Sequence, residues 1–340
     1  MPEAPESPDT GDQAAELRKR TFTTRGVVLQ IIGVTAGLAL LAWAVSIALS
    51  EDNREHLAKL RAPSPGLVAM LLGTSVVSIL LNGVVFWIAL LPIRRLRAID
   101  VIGVNAIATF LSILPLKLGF LLRAFIHVRR DGVRVRELFY WFAGVGAVGM
   151  AVILPVGLAS LWRRDVDLVW VLIVLTGPPA CGALGVLLGR LAMRRAWLAR
   201  LSLGSWRVVR DARVVGAQVL LRMIDLGVHS ARFYAAAGVA GIVMEPSRAV
   251  LLGTSYFLLT ALAPAGTLGF AEMGTAGVAV LIGSDANTIA LVALVVTLSQ
   301  AAASLMMGLG ACTWIKPWRV VMGVPHAGSI NASPRRRQGS

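Results

Sequence analysis

Recurrent apolar runs long enough to cross a bilayer limit what this chain can become. Eight segments, 27–49, 66–92, 101–128, 137–161, 168–189, 214–243, 249–283 and 286–314, are dominated by aliphatic residues. About 20 such residues span the hydrocarbon core as a helix. In lipid every backbone N–H and C=O must be bonded internally, which leaves helices or closed barrels, and runs of this length select helices. The chain is 56% hydrophobic, with a mean hydropathy of +0.75. The fold class expected is an all-α polytopic membrane protein.

Two of the runs carry matching interruptions. The first reads Pro115-Leu-Lys117-Leu-Gly119-Phe-Leu-Leu-Arg123 and the second Pro264-Ala-Gly266-Thr267-Leu-Gly269-Phe-Ala-Glu272. Each breaks an apolar segment at a proline, has a glycine nearby, and sets an ionised side chain eight residues past that proline, with opposite sign in the two copies. Irregular backbone at membrane depth survives only where protein or a wet cavity satisfies it. Breaks at corresponding places in two halves mark the binding region of many transporters.

Charge decides how the segments cross. The net charge of +15 comes from arginines in the loops between apolar runs, a distribution that signals topology and excludes nucleic acid as the partner. If every segment crossed once from a cytosolic N-terminus, the basic loops 129–136 and 190–213 would be exported, against the inside preference of Lys and Arg. Treating 101–128 and 249–283 as re-entrant hairpins, with tips at Pro115 and Pro264, brings both loops to the cytosolic side. The outside then keeps Arg54, Lys59, Arg61, Arg163, Arg164 and Arg248. This gives six spanning helices and two hairpins in an inverted repeat, with half-repeats at about 66–161 and 214–314. Residues 1–24 are expected as a disordered cytosolic tail, 25–315 as the membrane domain and 316–340 as a second cytosolic tail. Val27–Leu49 is too long for the apolar core of a signal peptide and reads as a retained span. The location expected is the inner (cytoplasmic) cell membrane.

Charges inside the apolar segments are the candidate site, because a buried charge in a membrane is costly and seldom idle. Lys117 falls in the first turn after Pro115, beside a half-helix N-terminus that attracts anions. Opposed tips put Arg123 at the depth of Gly266 and Thr267, and Lys117 near Glu272, its expected counter-ion; failing that, Glu272 would face Arg222 or Arg232. Arg123 and Glu272 are expected too far apart to pair directly. In 214–243, Arg222, Asp225, His229 and Arg232 are spaced three, four and three residues apart, which gathers them on one stripe of a helix. That stripe reads either as part of a wet path or as an internal salt-bridge ladder. The loop 190–213 mixes Arg with Leu, Trp and Met, suiting either a plain basic loop or a helix lying on an anionic leaflet.

No nucleophile–base set, dinucleotide fingerprint or zinc-ligand spacing occurs. No catalytic residue, metal or cofactor is therefore expected. Cys181 and Cys312 sit within or at the end of apolar runs and read as unpaired thiols.

Residues 105–132 (NAIATFLSILPLKLGFLLRAFIHVRRDG) and 264–277 (PAGTLGFAEMGTAG) resemble the two signatures of the lysylphosphatidylglycerol synthase transmembrane region, or flippase-like domain. The matching positions are Pro115, Lys117, Gly119, Arg123, Gly269 and Glu272. Phe120 stands where many members carry Glu. The soluble aminoacyl-transfer domain has no counterpart, so the resemblance implies no synthase reaction. It implies a stand-alone membrane domain that binds or moves an anionic phospholipid or a polyprenyl-phosphate-linked sugar. The alternative is a non-transporting scaffold for a lipid-modifying or glycosyl-transferring enzyme, docked through 190–213.

Overall fold

A computed structural model describes residues 24–112, 118–163, 165–262 and 269–322. Six helices are long and apolar enough to cross a membrane. They are α1 (Thr24–Ala48), α3 (Pro65–Leu90), α6 (Val135–Arg163), α7 (Leu168–Ala192), α10 (Ala212–Val239) and α13 (Ala286–Ile315). Between them lie two pairs of shorter helices, α4 (Ala98–Leu111) with α5 (Leu118–Arg129), and α11 (Pro246–Leu262) with α12 (Phe270–Leu281). Short connecting helices are α2 (Arg54–Lys59), α8 (Ala196–Leu201), α9 (Trp206–Val209) and α14 (Pro317–Val321). No strand occurs among the described residues. The chain is an all-α polytopic membrane protein.

Local chemistry sets the ends of the long helices. Asp167, Asp211 and Asp285 each cap a helix N-terminus, accepting from Trp170 N at 2.8 Å, Arg213 N at 2.9 Å and Thr288 N at 2.7 Å. These bonds satisfy N–H groups that a helix leaves unpaired. Helix α13 stops where Lys316 turns left-handed before Pro317. The outward faces remain apolar, with Leu172, Leu175, Leu305 and Leu309 all exposed. In a bilayer such faces meet lipid, so their exposure carries no aqueous penalty.

The short helices do fold back in pairs. At 1.5 Å per residue, the 14 residues of α4 and 12 of α12 reach only about 21 and 18 Å, short of the roughly 30 Å core. In the first pair the arms touch at Gly119, where a Cβ would lie 2.0 Å from Ala108 O. In the second, a Cβ on Gly274 would lie 2.8 Å from the Leu259 side chain. The tip positions Pro115 and Pro264 lie outside the described residues.

The packing repeats. Helix α3 lies against α10, its counterpart in the other half, and each pair packs beside that leading helix, α4 on α3 and α11 on α10. Each pair also leans on the final long helix of the opposite half, α4 on α13 and α11 on α6. The same kind of close approach makes both exchanges. A Cβ on Gly308 would lie 3.1 Å from the Phe110 side chain, and one on Gly157 2.7 Å from that of Leu258. The halves therefore interlock. Helix α7, the connector, packs on α6, and α1 packs on α13 and α12.

The basic loop between α7 and α10 does not form one surface helix. Positive φ at Leu203 (48°) and Gly204 (80°) divides it into α8 and α9. Gly204 is required there, since a Cβ would lie 1.9 Å from the Tyr140 ring.

Candidate functional site

A buried polar seam runs through the contact between the halves. At one end, Arg123 on α5 reaches across its pair to α4, where Nη2 donates to Asn105 Oδ1 at 2.7 Å. Asn105 is itself anchored, accepting from Asn82 Nδ2 at 3.4 Å and donating to Ile79 O at 3.2 Å. The guanidinium lies over the Phe86 ring, 3.9 Å from its centroid. A cation on an aromatic face gains from the ring's negative quadrupole. No carboxylate lies within ion-pair distance of Arg123 among the described residues, and its buried Nε lacks a partner. Arg222 is close enough to repel it.

The α10 stripe continues the seam. Arg222 Nη1 stands 3.8 Å from Asp225 Oδ2, a loose pair whose Arg222 Nε and Asp225 Oδ1 find no hydrogen-bond partner among the described residues. His229 Nε2 approaches Ser78 Oγ at 3.5 Å, the limit for a hydrogen bond. Arg232 is fixed more firmly, donating to Gln300 Oε1 at 2.7 Å and Thr74 O at 3.1 Å. Asp225, His229 and Arg232 are buried. The salt-bridge ladder is thus only partial, with one loose rung.

Glu272 on α12 closes the other end. Its side chain is fully buried, and Oε1 accepts from the Thr297 hydroxyl, which in turn lies 2.9 Å from the Tyr256 hydroxyl. With Thr297 donating to the carboxylate, Tyr256 donates to Thr297, so three side chains form a one-way relay. Oε2 has no partner among the described residues. Neither Arg222 nor Arg232 comes within ion-pair distance of Glu272, and neither does Arg123. Lys117, Gly266 and Thr267 lie outside the described residues, and with them the Lys117–Glu272 pairing. Gly269 is required by its φ of 80°; a Cβ there would lie 2.1 Å from Gly37 O of α1.

Arg123, Arg222 and Arg232 therefore face Asp225 and Glu272, and only Arg222 and Asp225 approach within 4 Å. Among the described residues the seam holds three guanidiniums against two carboxylates. Several members escape a reading limited to charge. Gln218, fully buried with neither amide atom bonded among the described residues, sits four residues before Arg222 on the same stripe; extending the periodicity by one turn finds it. Thr297, Gln300 and Tyr256 carry no charge, and only folding brings them to the charged groups. Phe120 packs on Phe142, with ring centroids 4.8 Å apart, so the position that departs from the flippase-like signature joins an aromatic cluster with Phe86 and Trp141.

A second polar cluster clasps the base of the first pair. His127 Nδ1 lies 2.6 Å from Asp131 Oδ2, Arg130 Nε 2.8 Å from Asp131 Oδ1, and Arg130 Nη2 3.3 Å from Asp100 Oδ2. Burial pushes the Asp131 carboxyl up, but hydrogen bonds from His127 and Arg130 outweigh it and hold its pKa below the usual 3.8.

No group of three or more His, Cys, Asp or Glu residues able to hold a metal occurs among the described residues. Comparison with protein-family models, with curated proteins and with solved structures finds no match to this chain.

Proposed function

We propose that this membrane protein binds the phosphate of an anionic lipid, or of a polyprenyl-phosphate-linked sugar, at Arg123 and carries it between leaflets. The observation that supports this most is the company Arg123 keeps. Its guanidinium is held by a neutral amide and an aromatic face, with a second arginine nearby and no described carboxylate in reach. A cation at membrane depth without a counter-charge is expensive. A phosphate supplies that charge through charge-assisted hydrogen bonds, and the buried Arg123 Nε has no hydrogen-bond partner among the described residues. The flippase-like resemblance of the two motifs points to the same ligand chemistry.

The interlocked halves support the movement in this reading. A transporter of this kind rocks one repeat against the other around a fixed site, and the seam lies at that contact, where α3 meets α10. The loose Arg222–Asp225 pair is the member best suited to exchange partners when a phosphate arrives.

Native mass spectrometry of lipids retained by the purified full chain tests the binding step. A charge-assisted contact contributes roughly 1.5–3 kcal/mol, about one to two decades in affinity. Arg123→Gln is expected to lower anionic-lipid occupancy by that amount, while Arg54→Gln changes nothing. A folded Arg123→Gln variant with full occupancy excludes the reading.

A further inference from the structure

Away from the seam, the basic end of α7 holds an open cleft of about 780 Å³. Four arginines line it, Arg190 and Arg194 from the end of α7, and Arg210 and Arg213 around the start of α10. None has a carboxylate partner within 4 Å among the described residues. The one acid among the described lining residues, Asp211, spends its carboxylate capping α10, accepting from Arg213 N at 2.9 Å and Val214 N at 3.3 Å. Like charges do not converge on one concavity without cost, so an anion is the natural occupant.

A second cavity of about 360 Å³ is lined by the other side of the same α7 turns and comes close to the cleft at Trp206, whose ring centroid lies 5.4 Å from the Arg210 guanidinium. Ala147 and Ala151 of α6 and Gly182, Gly185 and Leu188 of α7 line it, with Trp206 of α9. Small residues on two packed helices leave this groove. A Cβ added at Gly185 would meet no atom within 4 Å. Leu187 and Leu191 also line the arginine cleft and are exposed. An ion alone would need only the cleft.

We propose that these two cavities form one peripheral site for an anionic phospholipid, with its phosphate among Arg190, Arg194, Arg210 and Arg213 and an acyl chain in the groove at Gly185. The site is separate from the seam and does not depend on the transport reading. The arginines supply charge-assisted bonds to phosphate oxygens, and the groove removes an acyl chain from the bulk lipid. Arg210 is positioned by its neighbours, donating to Met193 Sδ at 3.2 Å and standing 5.4 Å from the Trp206 ring centroid.

The test uses the full chain in neutral detergent, carrying Arg123→Gln so that the seam does not contribute. Cardiolipin, with two phosphates, is the lipid probe and inorganic diphosphate the soluble one. Replacing all four arginines by Gln is expected to lower cardiolipin occupancy by at least about tenfold, with the thermal midpoint unchanged. Gly185→Leu sets a side chain in the groove at a position where a Cβ meets no atom within 4 Å, and is expected to displace cardiolipin while leaving diphosphate binding intact. The control, Arg54→Gln with Arg61→Gln, should keep full occupancy. Unchanged cardiolipin binding in the four-arginine variant, or an equal loss in the control, overturns the site. Tight diphosphate binding with cardiolipin indifferent to Gly185→Leu overturns the lipid assignment.

Discussion

The two helix pairs share an architecture and differ in how tightly they are held. In the second, Glu272 is fully buried, α12 packs along α13, and α1 lies against the tip at Gly269. In the first, Arg123 is only partly buried, α5 packs lightly on α6, and Leu118 and Phe120 are exposed. The acidic copy is sealed and the basic copy is open. The carboxylate is bonded to Thr297, whereas the guanidinium rests on Asn105 and Phe86 with no carboxylate within ion-pair distance among the described residues; in the proposed function it is the second that accepts a ligand.

The largest expected effect tests the sealing. Gly269→Ala would force a side chain into φ 80° and against Gly37 O of α1, costing about 3 kcal/mol or more from strain and overpacking together. Gly119→Ala meets Ala108 O at 2.0 Å without a positive φ, so about 1–3 kcal/mol is expected. Thermal unfolding of the two variants in detergent ranks them; a larger loss at Gly119 would reverse the comparison.

Next in size is the bond that holds Glu272. Thr297→Val removes the donor to Oε1 and strands a buried acceptor, at about 1–3 kcal/mol. Thr297→Ser should restore most of it, because the hydroxyl returns while the packing loss remains. Equal losses for Val and Ser would show that the methyl group, not the bond, matters at this position.

Much of this was readable in the residues. The lengths of the apolar runs mark every long helix, and the paired breaks at Pro115 and Pro264 mark both folded-back pairs. The stripe from Arg222 to Arg232 follows from helical period alone. Three-dimensional pairing was not readable. Asn105 belongs to a motif, yet nothing in the chain says that it holds Arg123. Thr297 and Gln300 are ordinary polar residues of an apolar helix until α13 brings them to Glu272 and Arg232. The clasp at His127 and Asp131 escaped because Arg130 and Asp131 sit in a loop that charge counting treats as bulk positive charge, while His127 and Asp100 lie on the two helices that the loop chemistry ties together.

That clasp supplies the smallest expected effect, and it acts on the open copy. Asp131 titrates below its ordinary value in the folded chain, so the unfolded chain binds its proton more readily. The stabilisation is therefore present above about pH 4 and is lost as pH falls through the lower folded value. Asp131→Asn should remove about 1–2 kcal/mol at neutral pH and flatten the acid limb of the stability profile. An unchanged acid limb in Asp131→Asn would dissociate the clasp from stability.

The central claim is that Arg123, on the open copy, handles the phosphate that is moved. It is tested most directly in proteoliposomes holding the full chain and an acyl-labelled phosphatidylglycerol, with a membrane-impermeant quencher reporting transfer between leaflets. The account expects transfer by the unaltered chain, a loss of about tenfold or more in Arg123→Gln, and little change in Arg54→Gln. No transfer by the unaltered chain, or transfer at the full rate by a folded Arg123→Gln variant, would contradict it.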